Sequence, residues 1–265
     1  MRRLLLALAA VAAASALAVV PAGAITFGQF DGNLHPEVGA LIADIGPNGE
    51  PDVLCSGSLI SPTVFLTAAH CTAYLESIGI SDVWVTFDPA FHPGSSRLVP
   101  GRYVTDPAYN GYAGPGGLSN PNDLAVVVLS RAITNVRPAR LPTAGLLDSI
   151  GLRSQTFTAV GYGTVRDVKT TGPNAFYFDA VRRYVTQSFL SLQPSWLTLD
   201  MNPSTGSGGT CYGDSGGPHF LGGPTSDLEV SITVTGDASC RATDKTYRLD
   251  TPSARAFLGA YVSLP

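Results

Sequence analysis

The chain has 265 residues, 45% of them hydrophobic and 14% charged, with a formal net charge of −4. That is long enough to bury a sizeable core in one or two domains. No cluster of Lys and Arg marks the basic face that nucleic acid requires, and the mild acidity speaks only for solubility.

The chain opens on a distinct segment. Arg2 and Arg3 form a short positive start, Leu4 to Val20 is continuously apolar, and Ala22-Gly23-Ala24 is a small-residue cleavage site. Residues 1–24 therefore read as a secretory signal peptide, with the mature chain starting at Ile25. The rival is a membrane anchor, since the apolar stretch is near the minimum spanning length. The Ala-x-Ala site favours cleavage.

The rest is rich in turn formers, with 29 Gly and 20 Pro, which favours an all-β architecture over long helices. Short runs of Val, Ile, Thr, Phe and Leu recur between Gly, Pro, Asn and Asp. Examples, in chain order, are Val38–Ile45, Gly57–Leu66, Val83–Phe87, Leu124–Leu129, Gln155–Val160, Trp196–Met201 and Leu228–Thr235. They predict strands of a sandwich or of barrels. Two Gly/Pro-rich stretches, Asp106 to Asn122 and Asn202 to Gly209, read as surface loops. Either they shape access to a site or they are tolerated insertions. Near the end, Thr251 is a candidate cap and Pro252 a first helical residue, and Ala256, Phe257, Ala260 and Tyr261 repeat at helical spacing. The spacing predicts one helix over Pro252–Val262. Cys55, Cys71, Cys211 and Cys240 form an even set, which in an exported protein suggests disulfides in one of three connectivities. A zinc site is the rival, but there is no Cys-x-x-Cys pair and the histidines are scattered.

Gly213-Asp214-Ser215-Gly216-Gly217-Pro218 sets one hydroxyl among small residues, where the backbone is free to approach a carbonyl and aim its N–H groups at one point. Alone it reads equally as a turn. A serine nucleophile needs a base, and the base needs an orienting acid. Of the four histidines, His70 is the candidate base, because Leu66-Thr67-Ala68-Ala69-His70-Cys71 holds it at the end of an apolar strand beside a cysteine. His35 and His92 each precede Pro in loop-like sequence and read as structural or surface residues without a catalytic part. His219 follows the Ser215 motif without a partner pattern. Asp123, before the apolar run Leu124 to Leu129, is the candidate acid if folding brings it under His70.

Taken together these segments resemble the chymotrypsin-like (trypsin family) serine proteases. The order His70, Asp123, Ser215 is that family's order and differs from those of subtilisins and α/β-hydrolases. Three segments carry the likeness: Cys55-Ser56-Gly57-Ser58-Leu59-Ile60 through His70-Cys71, then Asn122-Asp123-Leu124-Ala125, then Cys211-Tyr212 through Pro218. An esterase of the α/β-hydrolase type conflicts with that order and with the lack of Gly-x-Ser-x-Gly around Ser215. The other alternative is a non-catalytic binding protein on the same fold, disfavoured because all three residues and their frame are intact.

The resemblance implies an all-β fold of two packed antiparallel six-stranded β-barrels with a C-terminal α-helix and the active site between the barrels. One domain, 25–265, would hold an N-terminal barrel over about 25–140, a C-terminal barrel over about 141–250 and the helix over about 252–262. It implies disulfides Cys55–Cys71 and Cys211–Cys240. Ser215 would attack a peptide carbonyl, His70 would move the proton, Asp123 would orient His70, and the N–H groups of Gly213 and Ser215 would form the oxyanion hole. No metal or organic cofactor is required. Partners would be protein or peptide substrates and protein inhibitors. The product would be a secreted, extracellular monomer with no membrane anchor once the signal is cleaved. Ile25 would offer a free amine to Asp214, freed by signal cleavage itself.

Some positions depart from the family. Gly209, Gly236 and Asp244 are the specificity-pocket candidates. Gly209 stands at the floor position where trypsin-type enzymes carry Asp, so strict Lys/Arg preference is not expected, unless Asp244 lines the far wall. Val234-Thr235-Gly236 replaces Ser-Trp-Gly, and Gly161-Tyr162-Gly163 replaces Gly-Trp-Gly.

Overall fold

Short β-branched and aromatic runs, interrupted by turn residues, dictate short strands that can bury only one face each, and such strands close on themselves. The computed structural model describes residues 25–111, 119–166 and 176–265. The expected signal segment and part of the loop 106–122 lie outside the described residues. Six antiparallel strands form the first barrel: β2 (Val38–Asp44), β3 (Pro51–Ser61), β4 (Val64–Thr67), β5 (Val83–Thr86), β6 (Val99–Thr105) and β7 (Ala125–Leu129). They close in the order β2-β3-β4-β7-β6-β5. The second barrel comprises β8 (Thr156–Gly161), β9 (Arg183–Leu192), β10 (Trp196–Asp200), β11 (Pro218–Leu221), β12 (Glu229–Gly236) and β13 (Thr243–Arg248). Its order is β9-β10-β13-β12-β11-β8, closed by β8 on β9. The two six-stranded barrels expected above are therefore present.

Several details differ from the sequence expectation. The run Gly57–Leu66 is two strands, because Pro62, with no N–H to give to a ladder, sits in the turn between β3 and β4. The strand β1 (Gln29–Phe30) pairs with β9, so the first residues of the described chain join the second barrel although they precede the first. Strands β6, β9, β11 and β13 were not anticipated. Their sequences are polar or carry Pro and Gly, and they are strands because both neighbours supply ladder partners. The helix α1 (Ala69–Ser77) was also not anticipated, whereas α2 (Leu146–Ser149) is a single turn. The C-terminal helix α3 runs over Pro252–Leu258, shorter than the predicted Pro252–Val262. The Thr251 hydroxyl accepts from the Ala254 N–H at 3.3 Å, as its capping role requires.

The four cysteines form two disulfides, Cys55–Cys71 and Cys211–Cys240, so no thiolate is left for zinc. Losing one such bridge typically costs about 2–5 kcal/mol. Apolar residues of both barrels and of α3 share one core that includes Phe65, Leu66, Val126, Ile232 and Phe257. Polar groups tie the barrels as well. The buried Arg182 guanidinium donates to Asp31 Oδ2 (2.8 Å) and to the carbonyls of Val38 (2.7 Å) and Gly32 (3.0 Å). His35 is structural: it is buried, with Nδ1 at 2.5 Å from Asp31 Oδ1 and its ring stacked on Phe220. His92 is at the surface.

Glu229 is fully buried and accepts a hydrogen bond from Ser58 Oγ at 2.5 Å. Burial pushes its carboxyl up to about 8, above the ordinary 4.5. A carboxyl raised on folding favours the native state while protonated and loses that advantage as pH rises through the folded value. Glu229→Gln keeps the shape and cannot ionise. The melting temperature of wild type relative to Glu229→Gln should therefore fall as pH is raised from about 5 to about 9. A difference that stays constant across this range contradicts the assignment.

Candidate active site

The cleft between the barrels is assembled from the end of β4, the start of β7 and the turn before β11. Strand β4 delivers Thr67 and Ala68 to the start of α1, and His70 is the second residue of that helix. The Asp123 side chain is fully buried and comes from the loop entering β7. Its Oδ2 lies 2.8 Å from His70 Nδ1, and its Oδ1 accepts the His70 backbone N–H at 2.8 Å. Two bonds from one carboxylate fix both the helix start and the ring. The imidazole is partly exposed, its side chain retaining 28% of its accessible surface, so Nε2 is left for chemistry.

Ser215 lies in the turn between Cys211 and β11. Gly213 has φ +93° and Gly216 φ +79°, conformations that favour glycine. At Gly216 a Cβ would stand 2.3 Å from Thr67 Oγ1 and 2.7 Å from Ala68 N. This turn is thus pressed against the segment that ends in His70. The Ser215 carbonyl accepts from Ser56 N (2.9 Å), and Ser56 Oγ donates to the Gly213 carbonyl (3.0 Å). Among the described residues the N–H groups of Gly213 and Ser215 donate to no protein acceptor, and the Ser215 hydroxyl has no hydrogen-bond partner. Two adjacent unspent donors beside a free hydroxyl can stabilise a developing oxyanion.

Asp214 is fully buried. Its carboxylate accepts from Gly163 N (2.8 Å) and Cys211 N (2.9 Å), and burial lifts its pKa to about 7. Ile25 is also fully buried, clustered with Ala159 and Val185, and Thr26 exchanges backbone hydrogen bonds with Gly209 at 2.7 and 3.1 Å.

Beside Ser215 opens a cavity of about 280 Å³, with walls at Thr210–Tyr212 and at Thr233–Ala238. Tyr212 Oη donates to the Ala238 carbonyl at 3.1 Å and so ties the two walls at the mouth. Gly236 lines this cavity, and Gly209 lies buried behind the lining. Asp244 corrects the expectation of a far-wall carboxylate. It is fully buried in the second barrel, where its Oδ2 accepts from Gln187 Nε2 (2.9 Å) and lies 3.0 Å from His219 Nε2. A carboxylate taken from water needs such partners, and β9 and β11 supply them from inside the barrel. His219, which the sequence left without a partner, is thereby accounted for. Ser56, Tyr162 and Met201 were missed by sequence reasoning. Ser56 did stand within a quoted motif, but nothing local marks a serine that will bond across to another barrel. Tyr162 Oη donates to the Asp88 carbonyl at 2.7 Å, and burial pushes its phenol up to about 12.

Comparison with known proteins gives a consistent result. Residues 39–257 match the family model described as Trypsin. A brachyurin from Leptuca pugilator is 31% identical over 217 residues, covering 74% of this chain and 84% of the relative. A chymotrypsin from Phaedon cochleariae is 27% identical over 205 residues, covering 75% and 69%. A solved structure described as an HL collagenase superposes with a TM-score of 0.62 at 19% identity, covering 88% of this chain and 96% of the other, which speaks for the fold.

Proposed function

The chain belongs to the trypsin family of serine endopeptidases, and on that premise we propose that it hydrolyses peptide bonds with Ser215 as nucleophile, His70 as base and Asp123 as the orienting acid. The observation that carries this reading is the 2.8 Å contact with the fully buried Asp123 made by Nδ1 of His70, on the segment against which the Ser215 turn is pressed at Thr67 and Ala68. Asp123 holds the imidazole in the tautomer whose Nε2 accepts the Ser215 proton, and it stabilises the imidazolium that results. Attack on the carbonyl carbon gives a tetrahedral oxyanion held by the N–H groups of Gly213 and Ser215. His70 then gives the proton to the leaving amine, and water releases the acyl group by the same steps in reverse order. In an empty site the serine–histidine hydrogen bond is often long and tightens only with substrate bound, which agrees with the unpartnered Ser215 hydroxyl.

The enzyme is secreted and extracellular. Residues 1–24 act as its signal peptide, residues 25–265 form the protease domain, and it works as a monomer on protein or peptide substrates. Cleavage after Ala24 frees the amine of Ile25, which pairs with Asp214. Three observations support this: the buried Ile25 side chain, the Thr26–Gly209 bonds beside it, and a buried Asp214 whose described partners are two neutral N–H groups. A cation there offsets the cost of ionising a carboxyl lifted to about 7.

A fluorophosphonate probe should label the secreted wild-type protein and leave Ser215→Ala unlabelled. Absence of labelling in correctly processed wild type sinks the protease reading. Asp123→Asn should still fold while kcat at neutral pH falls about 10⁴-fold, the loss known for this change in the family. A loss below tenfold speaks against Asp123 as the orienting acid. Mass spectrometry of the secreted protein should place its first residue at Ile25, and a start several residues away rules out activation by signal cleavage.

A further inference from the structure

We infer that Met201, packed behind the wall of the cavity beside Ser215, sets how deep that cavity is and thereby selects an apolar residue on the acyl side of the scissile bond. This rests on the protease reading above and deepens it. Gly209, buried beside the lining residue Thr210, leaves room for a side chain, and Met201 takes that room. A Cβ at Gly209 would lie 2.1 Å from Met201 Cγ and 2.2 Å from its Sδ. The same side chain ends with Cε 3.4 Å from the place of a Cβ at Gly236, a residue of the cavity wall. One thioether thus packs against Gly209 and backs the wall at Gly236. Met201 is 1% exposed, and its N–H donates to the Ala242 carbonyl at 3.1 Å, so the residue is fixed in position. An unbranched, polarisable side chain suits an irregular gap of this kind.

Charge on the walls points the same way. Asp244 is turned to Gln187 and His219. Among the described residues Asp237 is the one acidic residue lining the cavity. Its carboxylate is committed to its own turn, accepting from Ser239 Oγ and from the N–H groups of Arg241, Ala242 and Thr243. A Lys or Arg entering this cavity would lose its hydration and find the lining carboxylate of Asp237 already committed, an outcome that disfavours it. A branched or aromatic apolar side chain would lose nothing polar and gain contact.

The test measures kcat/KM on fluorogenic peptides that differ only in the acyl-side residue (Ala, Leu, Phe or Arg), normalised to the fraction of enzyme labelled by a fluorophosphonate. Wild type should favour Leu over Arg by at least about tenfold. Met201→Ala, by deepening the cavity, should raise the Phe-to-Leu ratio about tenfold, and Met201→Leu should leave it within about twofold. Should Met201→Ala fail to fold, Met201→Gln keeps the length and places an amide behind the wall, and should cut the Leu-to-Arg ratio at least about fivefold. A wild-type preference for Arg overturns the inference, as does an unchanged profile in fully labelled Met201→Ala or Met201→Gln. Unlabelled wild type instead overturns the protease reading on which it stands.

Discussion

The site depends on the docking of the turn around Ser215 onto the first barrel. Ser56 of β3 makes that contact in three directions: its N–H to the Ser215 carbonyl, its hydroxyl to the Gly213 carbonyl, and its carbonyl to Thr67 Oγ1. Its hydroxyl also accepts the Tyr162 N–H at 2.9 Å, which reaches the end of β8. One serine therefore joins the turn that carries Ser215, the strand leading to His70 and the segment Tyr162-Gly163 that holds Asp214. Neither barrel contains a site by itself. His70 and Asp123 come from the first and Ser215 from the second, and the bonds through Ser56, with the close fit of Gly216, set their separation.

Buried ionisable groups lie within the second barrel and where it meets the first. They survive there because each is committed to partners from other strands. Asp244 has Gln187 and His219, Glu229 has Ser58, and Arg182 is surrounded by Asp31 and backbone carbonyls. Breaking such a set leaves a charge or dipole without solvent, which is more costly than the set is worth intact. These clusters are therefore a source of specificity for one arrangement of strands more than of net stability. Asp214 fits the same pattern with two backbone donors, and burial raises its pKa to about 7.

What could be read from the sequence follows from the range over which each signal acts. Runs such as Ala125–Leu129 and Trp196–Asp200 carry enough β-branched and apolar residues to be strands on local grounds, and their bounds moved by one residue at most. Strands such as Thr243–Arg248 carry no such signal. Asp244, Thr246 and Arg248 are in a sheet because their neighbours supply ladders and polar partners, and no local propensity reports that. The histidines divide in the same way. His70 stands in a motif with local character, while the burial of His35 and the pairing of His219 with Asp244 come from residues far along the chain.

By itself the sequence determined which residues are capable of chemistry: a serine framed by glycines, a histidine at a strand end beside a cysteine, and an aspartate before an apolar run. These are short-range patterns, set by what the backbone and side chains of a few consecutive residues can do. Only the tertiary structure decided which polar groups are buried and toward what they face. It turned Asp244 away from the cavity, set Met201 in the space left by Gly209, and left the N–H groups of Gly213 and Ser215 without protein partners. Those outcomes depend on strand register and barrel closure, where a polar atom takes the partner that other strands bring to it. The space a glycine leaves goes to whichever side chain the opposing strand delivers.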